Sequence, residues 1–535
     1  MQFPMLFDPL KPPFTHAPGA ARPSRVLVRL FDIARSPLAL PLLMAAFGFA
    51  LRLHGLADKS LWFDEIVTLN RARLPLAQLI TDALTHKHFP TYFLLVGPWA
   101  TADADAWLLR LPSAVFGAAC VFLVVRLAAE LRGPFAGLVA GLLMALSPFE
   151  VQFAQEARAY TLVSCLVLVA LAGLVRIAKE PAAAGLRPAE PAALRGAWAA
   201  YTFGTAGALL VQNVAMPWLL AANIAMAAII RHAPRERGAL SRNWIWSQGV
   251  ILLVWLPALA MMWRANRGAA LTGLEWVPKP TWESVWSAIA AVYLFRISDV
   301  VTFTLIPASL PGFGAIVVAL ALVGAWRLRA APALLAAIGL AFVAMPVAML
   351  LASAHQPVLV PRYLMWGTGP FFVLAGIGAA ALPARSFALT GAIVGIGAAI
   401  CLAPYYEAET KPRWNEAAAY LAANVHTQDV IVAQNEPVQY ALVSYHARFR
   451  ADANIPILAW DAHALPHALG ERERVWVVYG RIGQGNLEPE EDFRRKWLAF
   501  GSPAQQKRFG SHILVMRFDN PAGGADGPRA SASPR

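Results

Sequence analysis

The sequence predicts an all-α polytopic membrane domain with a large first extracytoplasmic loop, followed by a small C-terminal α/β domain. Three observations lead there. The chain of 535 residues is 58% hydrophobic and only 14% charged, whereas a soluble domain averages nearer a quarter charged. Its apolar residues fall into about eleven runs near the length of a bilayer crossing. After about residue 404 those runs stop, and short alternating segments separated by turns take over. The net charge of +13 is spread over short loops between apolar runs. There it orients the chain and meets anionic lipid, so it does not point to a nucleic-acid partner.

Residues 1–36 are polar and rich in Pro and Arg, with no cleavable signal peptide, so the first apolar run serves as an uncleaved anchor. Candidate spans lie near 37–54, 110–131, 134–150, 157–177, 197–213, 215–231, 244–263, 312–328, 332–353, 362–381 and 386–403. Lys11, Arg22, Arg25, Arg29 and Arg35 place the amino terminus in the cytoplasm. Alternation then puts Arg132, Arg176, Lys179, Arg231, Arg235, Arg327 and Arg385 on the same side, as the positive-inside rule asks. This holds only if the short run Phe89 to Ala100, with Pro90 and Pro98 near its ends, stays interfacial or re-entrant. Residues 55–109 then form one outer loop, with amphipathic segments near 63–73 and 75–86 and a short helix near 90–100.

A later outer segment, 264–311, is flanked and populated by Trp263, Trp276, Trp282 and Trp286, whose rings favour the headgroup level. Gly-rich stretches near 133–138 and 391–395 suit close helix packing in lipid. Cys120, Cys165 and Cys401 all fall in apolar runs and read as packing residues. In the 405–520 domain, strands are expected at 429–433, 455–460, 475–479 and 512–518, and helices at 414–425, 438–446 and 489–500. Residues 521–535 read as a disordered tail.

The candidate chemistry gathers on the outer side. Trp62-Phe63-Asp64-Glu65 places two adjacent carboxylates just beyond the first span. Such a pair also serves as a helix cap and first-turn charge. Near the same face come His86, Lys87, His88, Arg110, Glu156, Arg158 and Arg362. Ionisable groups beside or within spans are costly and point to function. Carboxylates facing guanidinium groups suit a displacement in which a hydroxyl attacks and a lipid phosphate leaves. The hydroxyl needs a base, and the departing phosphate needs positive charge. No HExxH motif or Cys/His cluster supports hydrolytic metal chemistry.

The segments Leu61-Trp62-Phe63-Asp64-Glu65, His88-Phe89-Pro90-Thr91-Tyr92, Leu109-Arg110-Leu111-Pro112-Ser113, Gln155-Glu156-Ala157-Arg158-Ala159-Tyr160, Pro361-Arg362-Tyr363 and Lys411-Pro412-Arg413-Trp414 follow one another in a telling order. In that order the chain resembles glycosyltransferase family 39 and the protein O-mannosyltransferase-like group, which includes the aminoarabinose transferases of lipid A. The match is dense over 60–165 and thin over 180–355, and Phe89 stands where the group usually has Pro. The resemblance implies a GT-C fold in the bacterial inner membrane, with the C-terminal domain periplasmic. It implies transfer of a sugar from a polyprenyl-phosphate donor to a hydroxyl or phosphate on a lipid, glycan or protein. Asp64 would be the catalytic base on the acceptor hydroxyl, and Glu65, the second residue of the catalytic pair, would position Asp64 or the acceptor. Arg110, Arg158 and Arg362 would hold the donor phosphate. His88, Glu156 and Tyr160 would support them, His88 and Glu156 as possible ligands of a divalent cation. Members differ in metal use, so the cofactor stays open. The competing readings are a lipid or sugar transporter or flippase, and a non-catalytic scaffold. A repeat with polar mid-span residues would mark the transporter, and none is evident.

Overall fold

The computed structural model describes residues 36–100, 106–183, 191–267, 277–297, 310–449, 455–460, 473–481, 488–498 and 500–519. The expected cytoplasmic start, the disordered tail and Trp276 lie outside these residues.

Helices occupy every apolar stretch expected to span. Among the described residues, six are by themselves long and apolar enough to cross a bilayer, or seven if one bent pair counts as a span. Helix length alone therefore does not reproduce a count of eleven. Two apolar helices, Ala39–Leu53 and Phe313–Leu328, are shorter than a full crossing. The stretch at 362–381 begins as a 3₁₀ turn, Pro361–Gly367, before Thr368–Ala379.

The bent pair is Pro134–Leu146 and Pro148–Ala154, which meet at 59°. Pro148 cannot continue the first helix, and Ser147 caps the second by accepting from the Glu150 N–H. The break strands carbonyls at the end of the first helix. Arg52 of the Ala39–Leu53 helix answers two of them, donating to Met144 O at 3.2 Å and Ala145 O at 3.5 Å. A Cβ at Gly117 would sit 2.6 Å from Arg52 Nε, so only glycine leaves room for this arginine. Among the described residues, glycine also sets the tightest helix crossing. A Cβ on Gly324 would lie 1.9 Å from Leu374 O, and one on Gly378 would lie 1.8 Å from Leu320 O. That contact, between Phe313–Leu328 and Thr368–Ala379, is closer than the crossing at Gly391 and Gly395 that the sequence suggested.

The first long loop carries three helices, Phe63–Ala72, Leu76–Thr85 and Thr91–Val96. The last is only six residues long and passes into a 3₁₀ turn at Gly97–Trp99. An Arg71–Asp82 ion pair, enclosed on the arginine side and partly exposed at the carboxylate, joins the first two. The Asn266 side chain donates to Leu84 O at 2.7 Å and ties the loop to the end of the Arg237–Ala265 helix. In the segment that follows, Thr281 caps a helix at Trp282–Tyr293. Trp263 and Trp282 are 70% and 81% exposed there, as headgroup-level indoles would be.

The C-terminal part is a five-stranded mixed sheet of β1 (Val430–Ala433), β2 (Ile457–Ala459), β3 (Arg474–Gly480), β4 (Gln505–Phe509) and β5 (Ile513–Asp519). The order is β2-β1-β3-β5-β4, parallel on the β1 side and antiparallel from β3 onward. Among the described residues of this part, the helices are Trp414–Asn424, Glu436–Phe449 and Glu490–Leu498. β4 was not foreseen. Its residues Gln505, Gln506, Lys507 and Arg508 are exposed and polar, which is how an edge strand avoids pairing with other chains. The sheet domain docks directly on the first loop. Tyr445 Oη donates to Leu61 O at 3.1 Å, Asn70 Nδ2 donates to Ser444 Oγ at 2.8 Å, and the Ser60 hydroxyl donates to Asn415 Oδ1.

Candidate active site

The Phe63–Ala72 helix begins on two carboxylates that part company at once. Successive helical residues point about 100° apart, so Asp64 and Glu65 face different surroundings.

Glu65 turns inward and is fully buried. Arg110 Nε donates to Oε1 at 2.7 Å, and Arg110 Nη2 donates to Oε2 at 2.8 Å. Lys411 Nζ reaches Oε2 at 2.9 Å, the Ala157 N–H reaches Oε1 at 2.9 Å, and the Trp62 N–H reaches Oε2 at 3.3 Å. Burial alone would raise this carboxyl. The Arg110 and Lys411 charges and the hydrogen bonds from Arg110 and Ala157 outweigh burial and hold it down at about 2.

Arg110 spends every remaining N–H on the carbonyls of Leu56, Lys59 and Ser60. At 1% exposure it is enclosed. The expectation that Arg110 binds a phosphate is therefore corrected. Its guanidinium is consumed in gathering the 56–60 turn and Glu65, with no donor left over. Glu65 is likewise a keystone rather than a group open to substrate.

Lys411 was not singled out for a role from the sequence. It enters from the segment before the Trp414–Asn424 helix and lies 346 positions from Glu65. Only a basic residue just past the last apolar run hinted at it. Burial, reinforced by Arg110, lowers its affinity for a proton. Nearby, Lys59 donates to Tyr405 O at 2.9 Å and Thr410 Oγ1 at 2.8 Å. Burial, then Lys411 and Arg110, lowers it to about 7.

Asp64 faces the other way. Its Oδ2 lies 3.8 Å from Arg158 Nε and 3.7 Å from Arg362 Nη2. That oxygen is buried without a hydrogen bond among the described residues, while the side chain as a whole keeps 18% exposure. Two guanidinium groups thus flank one carboxylate. Arg158 is steered by Thr68 Oγ1 at 3.4 Å and by Tyr160, whose ring centroid is 5.9 Å away. Arg362 lies 5.7 Å from the Trp62 ring and 5.9 Å from the Tyr363 ring.

The expected supporting residues sit around this pair. Tyr160 is buried and packs edge-on to Phe153. Glu156 is 2% exposed, and its Oε2 has no hydrogen-bond partner among the described residues. Burial raises its carboxyl to about 7, against the pull of Lys411 and with the push of Glu65. His88 lines a cavity with Tyr92, Phe93, Arg158, Tyr160 and Gln212. Burial and then the Arg158 and Arg71 charges lower its imidazole to about 3, so it is neutral. Among the described residues no three His, Cys, Asp or Glu side chains are grouped to hold a metal ion. A cation held by His88 and Glu156 accordingly finds no third protein ligand of those types there.

The helical frame, the helix-bearing first loop and the docked sheet domain together make a fold shared with solved structures of ArnT and of an archaeal oligosaccharyltransferase. No family model matches the chain, and no curated protein matches it. Among solved structures, it is similar to ArnT from Cupriavidus metallidurans in the apo state, with a TM-score of 0.58 and 14% identity over 91% of this chain and 99% of that one. ArnT bound to undecaprenyl phosphate gives a TM-score of 0.55 at the same identity of 14%, over 91% of this chain and 99% of that one. The archaeal oligosaccharyltransferase AglB from Archaeoglobus fulgidus, in complex with an inhibitory peptide and a dolichol-phosphate, gives a TM-score of 0.50 and 14% identity. It covers 82% of this chain and 69% of that one. At such identities the likeness is one of fold.

Proposed function

We propose that the chain is an integral membrane glycosyltransferase that moves a sugar from a polyprenyl-phosphate donor to an acceptor on the outer face of the bacterial inner membrane. The amino terminus is cytoplasmic and the sheet domain periplasmic, as the basic loops favour. The observation that carries this reading is Asp64 set between Arg158 and Arg362 at 3.8 and 3.7 Å, partly open and free of hydrogen bonds at Oδ2 among the described residues. The fold adds support, since solved structures sharing it hold undecaprenyl phosphate and dolichol-phosphate.

In the proposed step, the acceptor hydroxyl gives its proton to Asp64 as its oxygen attacks the anomeric carbon. The bond from that carbon to the phosphate oxygen breaks, and its electron pair leaves with the phosphate. Arg158 and Arg362 receive the growing negative charge. A single direct displacement inverts the anomeric centre. The acceptor is a hydroxyl or phosphate of a lipid, glycan or protein, and the sugar is a hexose or pentose. Glu65 and Arg110 act at one remove, by holding the turn from which Asp64 projects.

The test is transfer from undecaprenyl-phosphate-linked sugars to membrane-extract acceptors by the purified protein. Asp64→Ala is expected to abolish transfer while thermal unfolding stays as in wild type. Wild-type turnover in that variant removes Asp64 from the mechanism. Substrate accumulation in sealed vesicles with no glycosylated product replaces the whole reading with transport.

A further inference from the structure

Two separate segments carry the base and one of the arginines named above. Asp64 stands at the start of the Phe63–Ala72 helix. Arg158 closes the turn that follows the Pro148–Ala154 helix. The two residues are 94 positions apart, so their spacing is set by whatever ties the segments together. Lys411 does so with one ammonium. Its Nζ donates to Glu65 Oε2 at 2.9 Å, next to Asp64, and to Gln155 O at 3.1 Å, in the turn that leads to Arg158. The Ala157 N–H closes a second link between the same segments, on Glu65 Oε1.

Tyr405 holds the turn by its side chain. Its hydroxyl donates to Gln155 Oε1 at 2.9 Å. The Gln155 amide then spends its nitrogen on His54 O at 2.6 Å and Arg52 O at 3.0 Å. Both Tyr405 and Lys411 are buried, and both come from the junction where the Phe387–Glu407 helix passes into the sheet domain. The same junction and domain also hold the approach to Asp64. Lys59 donates to Tyr405 O and Thr410 Oγ1, the Ser60 hydroxyl donates to Asn415 Oδ1, and Tyr445 Oη donates to Leu61 O. A buried ammonium is costly, and an apolar side chain of similar length fills the same space without that cost. Glu65 is moreover already bridged by Arg110. What Lys411 adds is the tie from Glu65 to Gln155.

We propose that Lys411, assisted by Tyr405, is a positioning residue for sugar transfer that sets the spacing between Asp64 and Arg158. The sheet domain, through its junction, is then a working part of the site. The inference rests on the glycosyltransferase reading above and adds to it groups that touch neither donor nor acceptor.

The test uses the full chain. Transfer from undecaprenyl-phosphate-linked sugars to membrane-extract acceptors is measured, and the molecules able to bind undecaprenyl phosphate are counted by native mass spectrometry. Lys411→Met keeps the length and removes the ammonium. Per binding-competent molecule, kcat is expected to fall about 10²-fold, the cost of a misplacement of about 1 Å, while the donor KM moves by less than about threefold. Lys411→Arg, which keeps a cation for Glu65 and Gln155 O, is expected to restore kcat to within about tenfold of wild type. Tyr405→Phe, which removes one hydroxyl, is expected to lower kcat about fivefold at unchanged donor KM. A Lys411→Met protein with reduced yield and unfolding temperature but wild-type kcat per binding-competent molecule overturns the inference, because its lysine is then structural only. A raised donor KM at wild-type kcat overturns it as well. If Lys411→Met does not fold, Tyr405→Phe decides, and wild-type kcat in that variant overturns the inference, as does failure of both variants to fold. In each of these cases the wild type still transfers sugar and the glycosyltransferase reading stands. If the wild type transfers sugar from none of these donors, that reading falls and this inference falls with it.

Discussion

Asp64 and Glu65 are neighbours in the chain and opposites in environment. Glu65 is fully buried and matched by Arg110, Lys411 and two backbone N–H groups. Asp64 keeps partial exposure, and its Oδ2 approaches two guanidinium groups without forming a hydrogen bond among the described residues. A satisfied buried carboxylate rigidifies, because any change in it strands its partners. A partly exposed carboxylate with an oxygen that accepts no hydrogen bond among the described residues keeps a lone pair for a proton. One helix start thus supplies an anchor and, beside it, the carboxylate proposed as base, and the anchor fixes where that carboxylate points.

The comparison can be broken most directly by conservative substitutions of the two acids. Asp64→Asn should lower transfer by about 10²- to 10⁴-fold and leave the unfolding temperature alone, read by polyprenyl-phosphate release alongside thermal unfolding. Glu65→Gln should do the reverse in kind. Leaving Arg110 and Lys411 short of a counter-charge should cost about 3–5 kcal/mol of stability, seen as a lowered unfolding temperature and poor yield. A Glu65→Gln protein that melts like wild type would mean the two acids are not the different things described above.

The cations sharpen the contrast on a smaller scale. Arg362→Ala and Arg158→Ala should each weaken the donor's KM by roughly ten- to hundredfold, the worth of one charge-assisted contact of about 1.5–3 kcal/mol. Arg110→Lys should instead damage stability, since a lysine cannot bridge the Glu65 carboxylate and three carbonyls. If Arg110→Lys changes only KM, Arg110 belongs with the phosphate ligands after all.

The last effect is in pH. The Glu156 carboxyl is raised from 4.5 to about 7 by burial. The folded state therefore binds more protons than the unfolded state between those values. This contribution to stability is fully present below about 4.5 and is lost as pH rises through about 7. Wild type should lose unfolding temperature across that window relative to Glu156→Gln, which has no such group to titrate. Parallel curves for the two proteins would remove Glu156 from the account.

Much of the helical frame was legible in the residues. The apolar runs became helices because burying backbone polar groups in lipid leaves few alternatives. The short 90–100 segment formed a six-residue helix, as its two prolines suggested. β4 was missed because Gln505 to Arg508 are polar and exposed, so no alternation of apolar residues announced a strand. Arg110 was misplaced for a different reason. An arginine at the start of a span looks the same in sequence whether it meets a ligand or a ring of carbonyls.

By itself, the order of residues determined that this chain is a bundle of apolar helices with a sheet domain appended, and that acids and arginines gather near one end of it. Those properties follow from hydrophobic patterning and local charge, which act over a turn of helix or a single loop. Which acid is anchored and which is open was decided only when distant segments met. Lys411 joined Glu65 across 346 positions, and Arg362 reached Asp64 from another helix altogether. Pairing of that kind depends on where folding brings each side chain, and no local pattern encodes it.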